Sequence, residues 1–166
     1  MILPILRWPD PRLSTPCAEA VLSEDLRRLA ADLLETMYDA PGRGLAAPQT
    51  GHLLRLFVMD TGWKEGAPAP VVMVNPQILW ASDRRVPGPE GCLSLPGPTT
   101  MIERAAEVRV RWLDLEGVVQ ERVLTGMEAI CAQHEYDHLD GILTLDRLSP
   151  DARARAEAEI TQGMTA

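Results

Sequence analysis

The chain has 166 residues, the length of one ordinary domain, and we expect residues 1–166 to form a single domain. Hydrophobic residues make up 46% of it and charged residues 24%, which argues against disorder or a fibre. The formal net charge of −8 argues against a nucleic-acid-binding protein, which would normally carry a basic face. No segment approaches the ~20 apolar residues of a membrane span, so no membrane association is expected.

The N-terminal stretch "MILPILRWPDPRLSTPC" begins with a short apolar run that Pro4 interrupts, which is unlike a signal peptide. The three cysteines, Cys17, Cys92 and Cys131, cannot all pair with one another. Together these features predict a protein of the reducing cytoplasm. A cysteine with a special role is therefore expected to be a metal ligand or a nucleophile rather than half of a disulfide.

The segment "LSEDLRRLAADLLETMYDA" predicts an amphipathic helix, with Ser23 as a candidate N-cap. Its apolar stripe consists of Leu22, Leu26, Leu29, Leu33 and Met37. The next stretch, "PGRGLAAPQTG", is rich in glycine and proline and predicts a loop. Short apolar runs then predict strands at "LLRLFVMD", "VVMVN" and "QILWA", with "TGWKEGAPAP" as a loop between the first two.

The stretch "RRVPGPEGCLSLPGP" is predicted to be irregular, although "CLSL" could pair as a short strand. After it, "EVRVRWLD" and "VVQERVLT" flank "LEG" and predict a hairpin in which Gly117 easily adopts a positive φ. Charges of both signs alternate in this region, which indicates a solvated strand face formed by Glu103, Arg104, Glu107, Arg109 and Arg111.

A last helix is predicted at "SPDARARAEAEI", where Ser149 is a good N-cap and Pro150 a good first helical residue. The predicted order is helix, several strands, helix and short helix, which has too few crossover helices for a doubly wound sheet. It favours an α+β domain with antiparallel sheets packed around one central helix.

The run "TGMEAICAQHEYDH" predicts that central helix, because Thr125 and Glu128 have the spacing of a capping box. The residues Met127, Cys131, His134 and His138 follow at steps of four, three and four, which places both histidines on the inward-facing stripe. Two histidines four apart, with a glutamate directly after the first, match a hydrolytic zinc-type motif. The alternative is a pair of core histidines satisfied by hydrogen bonds.

A catalytic metal site of this type usually has three protein ligands and one open position. No histidine follows His138, and the downstream Glu157 and Glu159 lie on a helix that is predicted to be exposed. Cys92 in "EGCLSLPG" is the other candidate, because a thiolate is a strong ligand for Zn²⁺ or Fe²⁺. Its alternative role is that of a buried structural cysteine.

Three stretches resemble the motifs of the peptide deformylase family: "GRGLAAPQ" at 42 to 49, "EGCLS" at 90 to 94 and "QHEYDH" at 133 to 138. They occur in the family's order, and the resemblance extends from "ILRWPDPRL" to "LDRLSP". It implies the deformylase fold, in which antiparallel β-sheets surround a metal-binding helix. It also implies a hydrolase that removes the formyl group from the N-formyl-methionine of newly made polypeptides and releases formate.

The resemblance implies that Cys92, His134 and His138 hold one divalent metal ion, with a water molecule in the remaining position. One thiolate and two neutral imidazoles suit Fe²⁺ as well as Zn²⁺. The family resemblance implies Fe²⁺ in the cell, with Zn²⁺ or Ni²⁺ as alternatives. A ferrous site with a thiolate ligand is expected to be sensitive to oxidation.

The resemblance also implies catalytic and substrate-binding roles. Glu135 would take a proton from water and deliver it to the leaving amine. The side-chain amide of Gln49 and the backbone N–H of Leu93 would stabilise the oxyanion. Gly44 would lie beside the substrate backbone. Ile130 and Cys131 are candidates for the wall of the methionine pocket, or else plain core residues.

Arg43 departs from the family pattern, which generally has an aliphatic residue between these two glycines. Its side chain either points to solvent, narrows the methionine pocket or binds an acidic group of the substrate. The expected partners are N-formylated nascent peptides. Contact with the ribosome would be transient, and the chain has no basic tail for docking there.

Two other functions stay open from the sequence. A catalytically silent relative would keep the metal and bind peptide N-termini, and a paralogue would hydrolyse a different N-acyl group. The presence of Glu135 beside all three candidate ligands favours the active deformylase.

Overall fold

A computed structural model describes residues 1–165 and contains helices and strands in the following order. The helices are α1 (Glu24–Asp39), α2 (Gly126–Leu139) and α3 (Pro150–Thr165). The strands are β1 (Gly44–Ala46), β2 (Leu56–Met59), β3 (Val71–Ala81), β4 (Arg85–Cys92), β5 (Leu95–Ala105), β6 (Glu107–Leu113) and β7 (Val119–Thr125). Short 3₁₀ turns cover Pro11–Ser14, Ala47–Thr50, Trp63–Glu65 and Thr144–Arg147. Within residues 1–165, no helix combines the length and the apolar character needed to cross a bilayer.

The strands form two antiparallel sheets. One has five strands in the order β1-β2-β3-β6-β7, and the other is the β4-β5 hairpin. Helix α2 packs against β1, β2, β6 and β7 of the larger sheet and against β5 of the smaller one. This arrangement confirms the predicted α+β class, with antiparallel sheets around a central helix.

Strand β2 separates two parts of the core, because its side chains alternate between the two faces of the sheet. Leu56 and Val58 pack with the leucines of α1, whereas Phe57 and Met59 pack with Ala129 of α2 and its neighbours. Helix α1 starts as predicted, because the Ser23 hydroxyl accepts a hydrogen bond from the Leu26 N–H. The five-stranded sheet therefore holds α1 on one face and α2 on the other.

The β6-β7 hairpin also forms as predicted. Gly117 has a φ of +82°, and the nearby Asp114 carboxylate accepts hydrogen bonds from the N–H groups of Glu116 and Val118. Arg109 and Arg111 lie on the exposed face of β6, which confirms their predicted place. Arg104 of β5 is buried, so its predicted position on a solvated face was wrong.

The proline-rich stretch that was predicted to be irregular forms β4 and the start of β5. Proline lacks an N–H and is tolerated where that group would face away from the partner strand. Among the described strands β4 pairs only with β5, and Pro87 and Pro89 occupy alternate positions along it. Tertiary pairing thus overrides a composition typical of loops.

The two predicted strands "VVMVN" and "QILWA" are one strand, β3, with register shifts against β6 near its middle. Asn75 has a φ of +49° at this irregularity. Its side-chain amide accepts a hydrogen bond from the Ala20 N–H and donates one to the Ala20 carbonyl. Asn75, at the irregularity in β3, therefore connects the segment before α1 to the sheet through its side chain.

Helix α3 is less exposed than predicted. Ala156 and Ile160 are buried in a third cluster, together with Leu13, Leu95, Leu143 and Leu145. This cluster lies under the start of β5, so α3 supports the turn that follows Cys92. Ser149 caps the helix as predicted by accepting a hydrogen bond from the Ala152 N–H.

We expect Ile160→Ala to lower the free energy of unfolding by about 3 kcal/mol, because it removes a fully buried branched side chain and leaves a cavity. Urea unfolding followed by circular dichroism measures the change. Val119→Ala is the control, since Val119 is 60% exposed and should change stability by less than about 1 kcal/mol. Equal effects of the two substitutions would contradict the packing of α3.

Candidate metal centre and active site

Helix α2 carries His134, Glu135 and His138 towards the interior. Glu135 is 4% exposed and His138 2% exposed. His134 and His138 are four residues apart, which places their imidazoles one turn apart on the same face of the helix. The ring centroids lie 5.0 Å apart. The helix thus presents two candidate ligands and one carboxylate to the same part of the interior.

The start of α2 differs from the prediction. Thr125 is the N-cap residue, but its side chain makes no capping hydrogen bond. The Glu128 carboxylate instead accepts a hydrogen bond from Arg122, so the capping box does not form. Met127 is 55% exposed and does not belong to the buried stripe.

Cys92 approaches the two histidines from the end of β4. The pairing of Cys92 with Leu95 makes the β4-β5 connection tight, which directs the thiol towards α2. Its Sγ lies 3.5 Å from Nε2 of His138, and the candidate ligand atoms of Cys92, His134 and His138 all lie within 4.8 Å of one another. The structure therefore brings together the three residues that were predicted as ligands.

This donor set fits a divalent metal ion. Tetrahedral bonds of about 2.0–2.3 Å to sulfur and nitrogen place two ligand atoms roughly 3.5 Å apart, as found for Cys92 and His138. A sulfur and two ring nitrogens suit Fe²⁺, Ni²⁺ and Zn²⁺ better than Mg²⁺ or Ca²⁺. Among the described residues, Oε1 of Glu135 is buried without a hydrogen-bond partner beside this cluster.

Glu90 orients His134 from the side opposite the cluster. Nδ1 of His134 donates a hydrogen bond of 2.9 Å to the Glu90 carboxylate, which leaves Nε2 as the ligand atom. Burial by itself would raise the pKa of Glu90, but hydrogen bonds from His134 and Arg104 outweigh it and lower the pKa to about 2. Glu90 therefore stays ionised at neutral pH.

Arg104 joins Glu90 to Asp137, the residue just before the candidate ligand His138. Its Nε and Nη2 donate to the two oxygens of Glu90 at 2.8 and 2.9 Å, and its Nη1 donates to Asp137 at 2.8 Å. Arg147 donates two further hydrogen bonds to Asp137, at 2.6 and 2.7 Å. Arg104 is 3% exposed because its side chain lies on the face of β5 that packs against α2.

This network was missed by the sequence analysis, although Glu90 and Asp137 lie inside the quoted motifs "EGCLS" and "QHEYDH". The distance along the chain between Arg104 and its two partners hides their contact. The alternating charges near Arg104 suggested that its side chain is exposed, whereas it is buried. An alternating pattern does not say which of the two faces of a strand is buried.

Gln49 lies beside Cys92 and is 1% exposed. Its Oε1 accepts a hydrogen bond from the Ala46 N–H, and its Nε2 donates to the Ser94 hydroxyl at 3.1 Å and approaches the Cys92 sulfur at 3.7 Å. These contacts fix the orientation of the amide, so its NH₂ group faces the β4-β5 turn that contains Leu93.

Gly44 is where β1 comes closest to α2. A Cβ atom at this position would lie 2.6 Å from Oε2 of Glu135 and 2.8 Å from Sγ of Cys131. Any larger residue would displace the Glu135 carboxylate or the helix.

A cavity of about 370 Å³ opens from the ligand cluster to the surface. Cys92, Leu93, His134 and Glu135 line its inner end together with Gln49. Burial raises the pKa of Glu135 to about 7, although the neighbouring His134 opposes the shift. A carboxyl group with such a pKa can both accept and donate a proton near neutral pH.

The remaining predicted residues also line this cavity. Ile130, Cys131 and Met127 of α2 give it an apolar wall, and Gly44 belongs to the opposite strand. Arg43 lines the cavity too, but its Nη2 donates a hydrogen bond of 2.8 Å to Glu65. The Arg43 side chain is 34% exposed, so it is neither fully solvated nor fully buried in the cavity.

Comparisons with known proteins agree with this geometry. The family model for polypeptide deformylase matches residues 2–154. A peptide deformylase of Alkalilimnicola ehrlichii is 50% identical over 162 residues, which cover 96% of this chain and 89% of that protein. The crystal structure of a peptide deformylase from Legionella pneumophila has a TM-score of 0.93 and 39% identity and covers 99% of this chain and 96% of that chain.

A further crystal structure, of a class I type b peptide deformylase from Acinetobacter baumannii, contains bound Met-Ala-Ser. It has a TM-score of 0.83 and 36% identity and covers 89% of this chain and 99% of that chain.

A sulfur and two imidazoles beside a buried carboxyl group, at the inner end of an open cavity, define the class of metal-dependent hydrolases. The matched sequence and fold extend over nearly the whole chain and narrow this class. The chain belongs to the peptide deformylase family, whose enzymes remove the formyl group from the N-terminus of new polypeptides.

We expect Arg104→Met to lower the free energy of unfolding by about 3–5 kcal/mol, because it leaves two buried carboxylates without their shared partner. The metal content per chain should fall as well, since His134 loses its fixed orientation. Urea unfolding and elemental analysis measure the two effects. Arg109→Met, on the exposed face of β6, is the matched control and should change neither quantity appreciably.

We expect Gly44→Ala to lower kcat/KM for a formylated peptide at least about 100-fold, because the new methyl group displaces Glu135. Gly88→Ala is the control, since a Cβ there meets no atom within 4 Å. Formate release measures both variants. If Gly44→Ala kept wild-type activity, displacement of the Glu135 carboxylate would not affect the reaction. This result would contradict the position of Glu135 at the reacting atoms.

Proposed function

We propose that residues 1–166 form a single catalytic domain in which Cys92, His134 and His138 hold one divalent metal ion. The carrying observation is the convergence of the three ligand atoms to within 4.8 Å beside the buried Glu135 carboxyl. When bound, the ion would supply Lewis-acid chemistry, which can lower the pKa of a water molecule to about 7. The protein residues bind, orient and protonate the substrate.

Glu135 acts as the proton carrier of the reaction. Its buried Oε1 has no partner among the described residues, and its carboxyl group lies at the inner end of the cavity. It accepts the proton of the attacking water and delivers it to the amine nitrogen as the formyl C–N bond breaks. The products are formate and a free N-terminus.

Gln49 and Leu93 stabilise the negative charge that develops on the formyl oxygen. The Gln49 amide is held by the Ala46 N–H and the Ser94 hydroxyl, so its NH₂ group needs no reorientation during the reaction. Leu93 follows Cys92 in the tight β4-β5 turn and lines the cavity, which supports this role for its backbone N–H.

The substrate is an N-formyl-methionyl peptide. The apolar wall formed by Met127, Ile130 and Cys131 suits an unbranched thioether side chain. Gly44 leaves room for the substrate backbone to approach β1 closely. The relative from Acinetobacter baumannii binds Met-Ala-Ser, which is the product of such a reaction.

We further propose that Fe²⁺ is the metal in the cell, with Zn²⁺ and Ni²⁺ as substitutes, because a mixed sulfur and nitrogen site accepts all three. The substrates are nascent chains, so the enzyme works in the cytoplasm and contacts the ribosome transiently.

The first test is formate release from formyl-Met-Ala-Ser by Fe²⁺-loaded protein prepared without oxygen. We expect Glu135→Ala to lower kcat at least about 100-fold and to keep one metal ion per chain, because Glu135 moves a proton and is not a ligand. The matched control is Glu128→Ala on the same helix, whose carboxylate pairs with Arg122 at the surface. Absence of formate release from fully loaded wild-type protein would refute the proposed function.

A further inference from the structure

Two cations line the outer part of the active-site cavity. Arg43 lies between two glycines at the start of β1, and Lys64, the only lysine in the chain, lies in the 3₁₀ turn Trp63–Glu65. Lys64 is exposed and Arg43 partly exposed, whereas Glu135 is 4% exposed. The two cations therefore lie on the solvent side of the cavity, and Glu135 lies at its inner end.

The guanidinium of Arg43 is only partly satisfied. Its Nη2 pairs with Glu65, while its Nε is buried and has no hydrogen-bond partner among the described residues. Buried donors are almost always paired in folded proteins. A carboxylate that enters the cavity beside Arg43 would supply a further acceptor for this guanidinium.

The turn that carries Lys64 is fixed to the wall of the cavity. Nε1 of Trp63 donates a hydrogen bond of 2.9 Å to the Gly42 carbonyl, and its ring meets that of Tyr38 edge to face at 5.3 Å. The Tyr38 hydroxyl donates a hydrogen bond of 2.6 Å to Asp60. Lys64 therefore lies in an anchored turn, with its ammonium group 5.7 Å from the centroid of the Trp63 ring.

The local charge is positive although the whole chain carries −8. Arg43 and Lys64 contribute two positive charges and Glu65 one negative charge, which leaves a surplus of one. Glu90, which also lines the cavity, is already paired with Arg104. Salt screens charges beyond about 8–10 Å, so a bound peptide side chain interacts mainly with the nearby cations.

We propose that Arg43 and Lys64 form a carboxylate-binding subsite, which favours formyl-methionyl peptides with Asp or Glu at the second or third position. This inference rests on the proposed function, because the formyl group must lie at Glu135 for the following residues to reach the outer part of the cavity. Glu65 holds Arg43 in place and competes with the substrate carboxylate for it.

The kinetic test compares formyl-Met-Asp-Ser with formyl-Met-Lys-Ser, and formyl-Met-Ala-Asp with formyl-Met-Ala-Lys, at about 0.1 M salt. We expect kcat/KM for at least one acidic peptide to exceed that for its lysine counterpart about fivefold. The ratio should fall towards one at about 1 M salt. A ratio within one enzyme variant is unaffected by a general loss of activity.

Arg43→Leu and Lys64→Ala should each reduce this ratio, whereas Glu65→Gln should increase it by releasing the guanidinium. Arg28→Leu and Asp25→Asn are the matched controls, because this ion pair on α1 is exposed and does not line the cavity. They should leave the ratio unchanged.

Binding of the peptide products provides a readout that does not need activity. Reductive ¹³C-methylation keeps the charge of Lys64 and gives one lysine signal beside that of the terminal amine. Met-Asp-Ser or Met-Ala-Asp should shift this signal more than its lysine counterpart. Failure to hydrolyse formyl-Met-Ala-Ser refutes the proposed function, whereas the charge preference in binding tests the subsite separately.

A charge preference in either assay that Arg43→Leu and Lys64→Ala remove supports the subsite. Equal treatment of acidic and basic peptides in both assays, or a preference that persists in these variants, overturns it.

Discussion

The buried guanidinium of Arg104 connects the two parts of the chain that supply the candidate metal ligands. Glu90 lies two residues before Cys92 and bonds to His134, and Asp137 immediately precedes His138. A charge this deeply buried is stable only when its partners are in place, and the same holds for both carboxylates. Correct docking of β4 and β5 against α2 therefore satisfies the charges and assembles the ligands at the same time.

Two carboxyl groups close to the candidate metal ligands have opposite electrostatic surroundings. Hydrogen bonds from His134 and Arg104 hold the pKa of Glu90 at about 2, whereas burial raises the pKa of Glu135 to about 7. Because the two pKa values differ in this way, Glu90 stays charged at neutral pH, whereas Glu135 can exchange a proton. This difference in pKa suits the roles proposed for the two residues, with Glu90 orienting the candidate ligand His134 and Glu135 moving a proton.

Helix α1 and the β6-β7 hairpin could be predicted from the sequence, because spacing and turn chemistry determine them locally. The helix with the two histidines was also predicted, but the capping box expected at its start does not form. The family followed from three short motifs, and these motifs also contain the three residues that the fold brings together as candidate ligands. The strand β4 could not be predicted, since its prolines are allowed only by pairing on one side. Nor could the burial of Arg104, which depends on contacts with residues 14 and 33 positions away.

The environment of Arg43 could not be predicted from the sequence either. The motif shows a cation where an aliphatic residue is usual. Only the fold shows that Glu65 accepts a hydrogen bond from one nitrogen of Arg43, and that another nitrogen has no partner within residues 1–165. Lys64 gave no sequence signal, because a single lysine in a glycine-rich turn is typical of a surface loop. Folding brings the two together at one cavity.

The prolines of β4 also bear on the behaviour of the enzyme at high concentration. An uncovered strand edge with alternating N–H and C=O groups can pair with the same edge of another molecule and start aggregation. On β4, Pro87 and Pro89 present carbonyl groups without the matching donors along the side that faces away from β5. Neighbouring molecules therefore cannot extend this sheet by regular pairing, and the strand that carries the candidate ligand Cys92 stays free of intermolecular β-structure.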